Sequence, residues 1–203
     1  VIKDRPDFYL PSDVKRYIED NLSKFRADKD HTYLLVVALG AYEYWGPNSR
    51  GDAFREKALT GIQTADEAKK YNPKDRQFPV PRYKTFEFAK LYRLHKVGKD
   101  TEIGLIIRAF YDWCMHRVLC LIKINNKKAP DLVKMLKNGI RPGFSMGCLI
   151  SFDVCSICGH TRKAGEQPCI HVRTMLNQID PKTGKLVYVD NPQFFFRDLS
   201  FVY

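Results

Sequence analysis

Between Gly143 and His171 the chain reads GFSMGCLISFDVCSICGHTRKAGEQPCIH, and two kinds of chemistry are encoded there. Ser145 stands between Phe144 and the pair Met146-Gly147. A nucleophilic serine needs a base to take its proton and donors for an oxyanion. A serine at a turn before a strand, followed by glycine, exposes its hydroxyl and frees backbone N–H groups nearby. Ser-Met-Gly by itself does not separate a nucleophile from an ordinary strand-edge serine. Further on come Cys155-x-x-Cys158 and Cys169-x-His171. Three thiolates and an imidazole complete a tetrahedral shell for Zn2+ and leave no open position, which is the pattern of a structural site. Such a site ties down a loop too small to bury a core of its own. His160 competes with His171 as the fourth ligand, and His171 is favoured because Cys-x-His lets the last two ligands converge. Unconnected thiols, or a Cys155–Cys158 redox pair, are the alternative.

The serine's base must come from five histidines. His171 is claimed by the metal pattern and His160 lies in the same insert. His31 begins a strand with no turn chemistry beside it. His95 sits in a polar break, LHKVGKD, just before a strand, where a side chain can reach into a cleft. His116 lies in a hairpin turn, where simple exposure is the plain reading. A carboxylate or another histidine should orient the base. Asp198 ends the aromatic run FFFRD, with Asp112 and Asp153 as alternatives.

The chain has 203 residues, 44% of them hydrophobic, which is enough apolar material for one core with an attached small module. No apolar run approaches the roughly 18 residues that span a bilayer. The opening VIKDRPDFYLPSD is polar and holds prolines, unlike a secretory leader. Without such a leader, six cysteines read as metal binding in a reducing compartment rather than as disulfides. Cys114, Cys120 and Cys148 fall in apolar runs and read as buried small hydrophobes. The net charge of +11 raises the odds of an acidic partner such as nucleic acid. The bases are spread along the chain, so a solvated basic surface is the expectation unless folding clusters them.

These residues need a frame. Pro11 to Phe25 predicts a helix, with Ser12 or Asp13 as its cap and Val14, Tyr17, Ile18, Leu22 and Phe25 on one face. His31 to Tyr42 reads as a strand, Trp45 to Asp52 as turn chemistry, and Phe54 to Leu59 as a short helix. Thr60 to Arg82 looks like a long connection. Glu102–Trp113 and His116–Ile124 form a hairpin. Pro130 to Lys137 is a helix, opened by its proline and closed by Gly139. Gly143 to Val154 is a strand, and Lys185–Val189 and Asp198–Tyr203 are the last two. The sum is a β-rich α+β domain, built as a partly closed barrel with flanking helices.

The order of the pieces resembles one known family. They are GAYEYWGPNSRGDAF (40–54), YKTFEFAKLYRLHKVGKD with IGLIIRAFY (83–111), RVLCLIKI (117–124), FSMGC (144–148), CSICGH with CIH (155–171) and FFFRDLSFV (194–202). Together they resemble the prohead (capsid maturation) proteases of tailed bacteriophages, which share a fold with the herpesvirus assemblins. The likeness extends to the Cys/His insert after the serine, a feature of one branch of those enzymes.

The resemblance implies a single protease domain over 1–203 with a zinc-knuckle insert at about 153–173. It implies a serine endopeptidase that cleaves scaffold and major capsid proteins, and itself, inside the viral prohead in the host cytoplasm. The family's nucleophile falls on Ser145 and its histidine on His95. Asp198 is the carry-over for the third member, with His116, Asp112 and Asp153 as its rivals. Backbone N–H groups near Met146 and Gly147 are the oxyanion candidates, and Cys155, Cys158, Cys169 and His171 hold structural Zn2+. A homodimer is expected by analogy with the viral relatives. Nucleic-acid contact is expected only as an unspecific effect of charge, and no membrane partner is expected. The rival reading is a non-catalytic, zinc-bearing protein associated with capsid or nucleic acid.

Overall fold

The computed structural model describes residues 9–71, 79–94, 96, 98 and 100–202, without the side chains of Lys70 and Tyr71. Strand β5 (Arg117–Asn125) explains the layering. Its alternate residues Val118, Cys120, Ile122 and Ile124 enter the main core, while Leu119 and Leu121 face the other way. Both faces of a strand are buried only if each is covered, and helix α1 (Ser12–Ala27) covers the second. Val14 and Ile18 of α1 pack there against Phe110, with Tyr17 and Phe25 at the margin. Pro11 takes the N-cap position of α1, and no side chain caps it, so neither Ser12 nor Asp13 plays that part.

The remaining strands are β1 (His31–Gly40), β2 (Asp52–Ala53), β3 (Lys90–Arg93), β4 (Glu102–Asp112), β6 (Gly143–Cys155), β7 (Thr161–Lys163) and β8 (Val189–Val202). They form one sheet in the order β1-β5-β4-β3-β8-β6-β7, and β2 pairs with the start of β8. All neighbours are antiparallel except β3–β8 and β2–β8. The architecture is mixed α+β and rich in sheet. The barrel does not close: β1 and β6 approach one another, but among the described residues no ladder joins them.

Four short helices lie between α1 and β6: α2 (Tyr42–Trp45), α3 (Glu56–Thr60), α4 (Ala65–Tyr71) and, after the hairpin, α5 (Pro130–Lys137). Leu59 of α3 and Leu132 and Val133 of α5 belong to the main core, together with Phe194, Phe196, Leu199 and Phe201 of β8. Phe86, from a 3₁₀ turn over Arg82–Phe86, stacks on Phe196 with ring centroids 3.9 Å apart. Pro130 opens α5, and Gly139 leaves it in the left-handed region (φ 78°), as the sequence predicts.

Three expectations change. The connection from Thr60 to Arg82 holds α4, opened by a reciprocal cap. The Thr64 N–H donates to Glu67 Oε2 at 2.7 Å, and the Glu67 N–H donates to Thr64 Oγ1 at 3.2 Å. The same Glu67 carboxylate takes three hydrogen bonds from the buried Arg82 guanidinium, which docks α4 on the 3₁₀ turn. A single final strand, β8, runs from Val189 to Val202, so the expected strand Lys185–Val189 survives only in its last residue. Pro192 lies where the β6–β8 register slips between Phe152 and Val154, and a bulge tolerates a residue with no N–H. Cys114 is exposed, while Cys120 is buried as expected.

Candidate functional site

Ser145 lies inside β6, third from its start, and its Cα partner on β8 is Ser200. Two residues on, Gly147 pairs with Asp198. Paired residues share a face of the sheet, and so do residues two apart on one strand. Ser145, Gly147, Asp198 and Ser200 therefore occupy one face. Their neighbours Phe144, Met146, Leu199 and Phe201 point to the main core on the other. On the far side of β8, Lys90 pairs with Asp198 and Tyr92 with Ser200 in parallel register. The row across three strands is thus Tyr92, Ser200, Ser145, with Asp198 one step along.

Asp198 is almost wholly buried, and its Oδ1 accepts a hydrogen bond from the buried Ser200 hydroxyl at 3.2 Å. Burial and the nearby carboxylates of Glu102 and Asp198 push the Tyr92 phenol up from its ordinary value. Gly147 is the residue that lets the carboxylate lie flat on the strand. A Cβ at position 147 would come to 2.1 Å from Asp198 Oδ2 and 2.7 Å from its Cγ. Gly147→Ala is therefore expected to force the carboxylate aside and destabilise the fold by about 1–3 kcal/mol. Urea denaturation of the variant measures this, and an unchanged midpoint would show that the carboxylate has room to move.

His95 lies outside the described residues. Strand β3, beside β8, ends at Arg93, and the next residue, Leu94, donates its N–H to the Phe201 carbonyl at 3.0 Å. The rival groups are committed elsewhere. Asp112 is fully buried, binds Arg117 at 3.0 Å and accepts the N–H groups of Cys114 and Met115. Asp153 is clasped by the Arg162 guanidinium. His116 is not simply exposed in its turn. Its Nδ1 pairs with Glu56 Oε1 at 2.7 Å, and its ring stacks under Tyr44 at 3.5 Å.

Met146 and Gly147 both lie within β6. Successive amides of a strand point to opposite edges, so one of the two turns toward β8 and the other away from it. β7 covers only Phe152 to Val154 of the outer edge of β6, and among the described residues no strand pairs with that edge at Ser145. Burial pushes the nearby Cys148 thiol up to about 12, helped by the carboxylates of Asp52 and Asp198. A thiol so raised stays protonated and is a poor nucleophile at neutral pH.

The loop Asn48 to Asp52 is locked onto β8. Asn48 Oδ1 accepts the N–H groups of Arg50 and Asp52 at 2.9 and 3.0 Å. Asn191, fully buried, donates to Asp52 Oδ1 at 3.2 Å. Burial raises the Asp52 carboxyl above its ordinary value. Sequence reasoning passed over Asn191 and Ser200. The Asp-x-Ser spacing of residues 198 and 200, which puts both on one face of a strand, was the available signal for Ser200.

At the far end of the same hairpin, Cys155 closes β6 and pairs with Val189, the first residue of β8. The ligand atoms of Cys155, Cys158, Cys169 and His171 all lie within 4.8 Å of one another. A tetrahedron of Zn–S bonds about 2.3 Å long has edges of about 3.8 Å, so the cluster can hold a metal ion and is compatible with zinc. His171 Nδ1 is buried and has no hydrogen-bond partner, a state expected of a ligand atom rather than of a satisfied core histidine. The Ile157 N–H points to Cys155 Sγ at 3.4 Å, and Gly159 takes φ 69° to turn the knuckle. His160 is exposed and contributes its carbonyl, which accepts the Cys155 N–H at 2.9 Å. Helix α6 (Ile170–Met175) starts from Cys169 and carries His171 back to the cluster.

Ten residues of strand separate Ser145 from Cys155, about 33 Å at ~3.3 Å per residue. The two sites share a hairpin but no chemistry. Among the described residues, no helix is long and apolar enough to cross a membrane. Compared with family models, curated proteins and solved structures, the chain matches none.

Proposed function

We propose that this chain is a serine endopeptidase of the prohead type, built on an assemblin-like sheet, that processes scaffold and major capsid proteins inside the viral prohead. The observation that carries this reading is the pairing of Ser145 with Ser200 and of Gly147 with Asp198 on one face. In that mechanism His95 takes the Ser145 proton as the hydroxyl attacks the scissile carbonyl. The outward amide of the Met146-Gly147 pair donates to the oxyanion. His95 then protonates the leaving amine, and water releases the acyl group. Asp198 holds the imidazole in the tautomer that leaves its other nitrogen ready to accept. Zn2+ held by Cys155, Cys158, Cys169 and His171 supplies structural cross-linking alone. The enzyme works in the host cytoplasm, within the assembling head, as a homodimer.

The test is labelling with a serine-reactive fluorophosphonate, mapped by mass spectrometry on the wild type and on His95→Ala at high protein concentration. Modification at Ser145 that depends on His95 is expected. Absence of labelling in the concentrated, assembled protein would instead favour a structural zinc protein without catalysis.

A further inference from the structure

Positive charge is concentrated in and around helix α5. Helix α5 buries Leu132 and Val133 against the main core and turns Lys134 and Lys137 to solvent. Lys128 precedes the helix and Arg141 follows it, both exposed. Among the described residues no carboxylate lies within ion-pair distance of Lys128, Lys134, Lys137 or Arg141. Lys127 reaches Asp30 only at 3.9 Å, with both side chains largely exposed. The one acid between residues 126 and 142 is Asp131. Arg93 grips both its oxygens, which holds the carboxyl well below the usual carboxylate range and cancels its charge locally. Lys134 and Lys137 line a shallow concavity with Asn126 and Asn138 at its rim.

We propose that this surface binds the phosphate backbone of duplex nucleic acid. The helix is 8 residues long, about 12 Å at ~1.5 Å per residue, and its lysines stand one turn apart. A duplex presents a charge about every 1.7 Å of its axis, so the stripe meets several phosphates at once. Residues 126–142 contain no aromatic side chain, so they offer nothing on which unpaired bases could stack. Ile140 is the one large apolar side chain exposed in this stretch. A polypeptide partner needs a buried apolar anchor at its centre, whereas backbone contact needs only charge. The exposed rings of Tyr44, Trp45 and Trp113 lie in other segments, beside the paired acids Glu43, Glu56 and Asp112.

The test uses the full chain and a duplex of arbitrary sequence, followed by fluorescence anisotropy across a salt series. Each phosphate contact adds about −0.9 to the slope of log K against log salt, so a slope of roughly −3 to −4 is expected. The triple variant Lys128→Gln, Lys134→Gln, Lys137→Gln should lose at least about tenfold in affinity at low salt and about 2.7 of that slope. The control Lys163→Gln, Lys182→Gln, Lys185→Gln removes the same charge from the segment between β6 and β8 and should bind as the wild type does. Thermal melts confirm that both variants fold. Equal weakening by both triples, or no weakening by the first, overturns the proposal. So does the absence of duplex binding at low salt. Displacement of the duplex by polyglutamate at equal charge concentration overturns it too and assigns the surface to an acidic polypeptide.

Discussion

Ser145→Ala is expected to abolish cleavage of scaffold and capsid substrates while the protein stays folded. Removing the nucleophile of a serine protease lowers turnover by about 10⁴-fold or more, because the remaining groups act as a unit with it. The fold should not notice. Ser145 faces away from the main core, whose packing at this point comes from Phe144 and Met146 on either side. Its hydroxyl adds no apolar contact, and alanine keeps the Cβ and the β6–β8 ladder opposite Ser200. The measurement is a gel and mass-spectrometric assay of processing, run beside a thermal melt. Normal cleavage by the variant would exclude Ser145 as the nucleophile. Loss of activity together with a collapsed melting temperature would make its role structural instead.

Removing the metal should have the larger effect on stability. No hydrophobic residue between Ser156 and Leu186 is buried, so this insert has no core of its own. What holds it is the four-residue cluster, the short β7 ladder, the Arg162–Asp153 ion pair and a few hydrogen bonds. The Ser156 hydroxyl donates to the Leu186 carbonyl at 3.0 Å and accepts the Tyr188 N–H at 2.9 Å. Binding of structural zinc in comparable small modules is worth about 10–16 kcal/mol, far more than those links supply. Chelation, or Cys169→Ser, is expected to open the insert to protease and to lower the melting temperature. Fraying should begin at Cys155 and Val189, where the hairpin ends, about 33 Å from Ser145 by strand rise. Limited proteolysis with mass mapping reads the first effect and calorimetry the second. A metal-free chain with the same proteolytic pattern and the same melt would show that the cluster is not structural.

What could be read from the residues alone followed from local rules. The segments EIGLIIRAFYD and RVLCLIKIN mark two strands because both are rich in β-branched and aromatic residues, with a short break between them. Pro130 and Gly139 bracket α5 because one fits a first helical turn and the other a left-handed exit. The ligand set of the insert was legible because metal geometry restricts spacing, and the structure brings together the four residues expected. Helix α4 was missed although its Thr64-Ala65-Asp66-Glu67 capping box was in view. Its polar surroundings hide any apolar stripe, and the buried Arg82 that completes its docking comes from a distant turn. The break predicted between the last strands failed for a related reason. Pro192 has no N–H to give a ladder, but β8 carries an extra residue there, where Phe152 to Val154 of β6 oppose Gln193 to Asp190.

The sequence by itself determined the β4–β5 hairpin, helix α5 and the Cys/His cluster, since each depends on neighbours a few positions away. Only the tertiary structure decided which of the candidate site residues meet. Asp198 lies against Gly147 and one pairing step from Ser145 because β8 runs antiparallel to β6 in one particular register. A slip of one residue would turn them to opposite faces. Asp112, Asp153 and His116 look equally able in the sequence, and partners far along the chain, or across a turn, bind each of them elsewhere. The open sheet belongs to the same category. Strand closure depends on where distant segments pack, and local patterns carry no record of that.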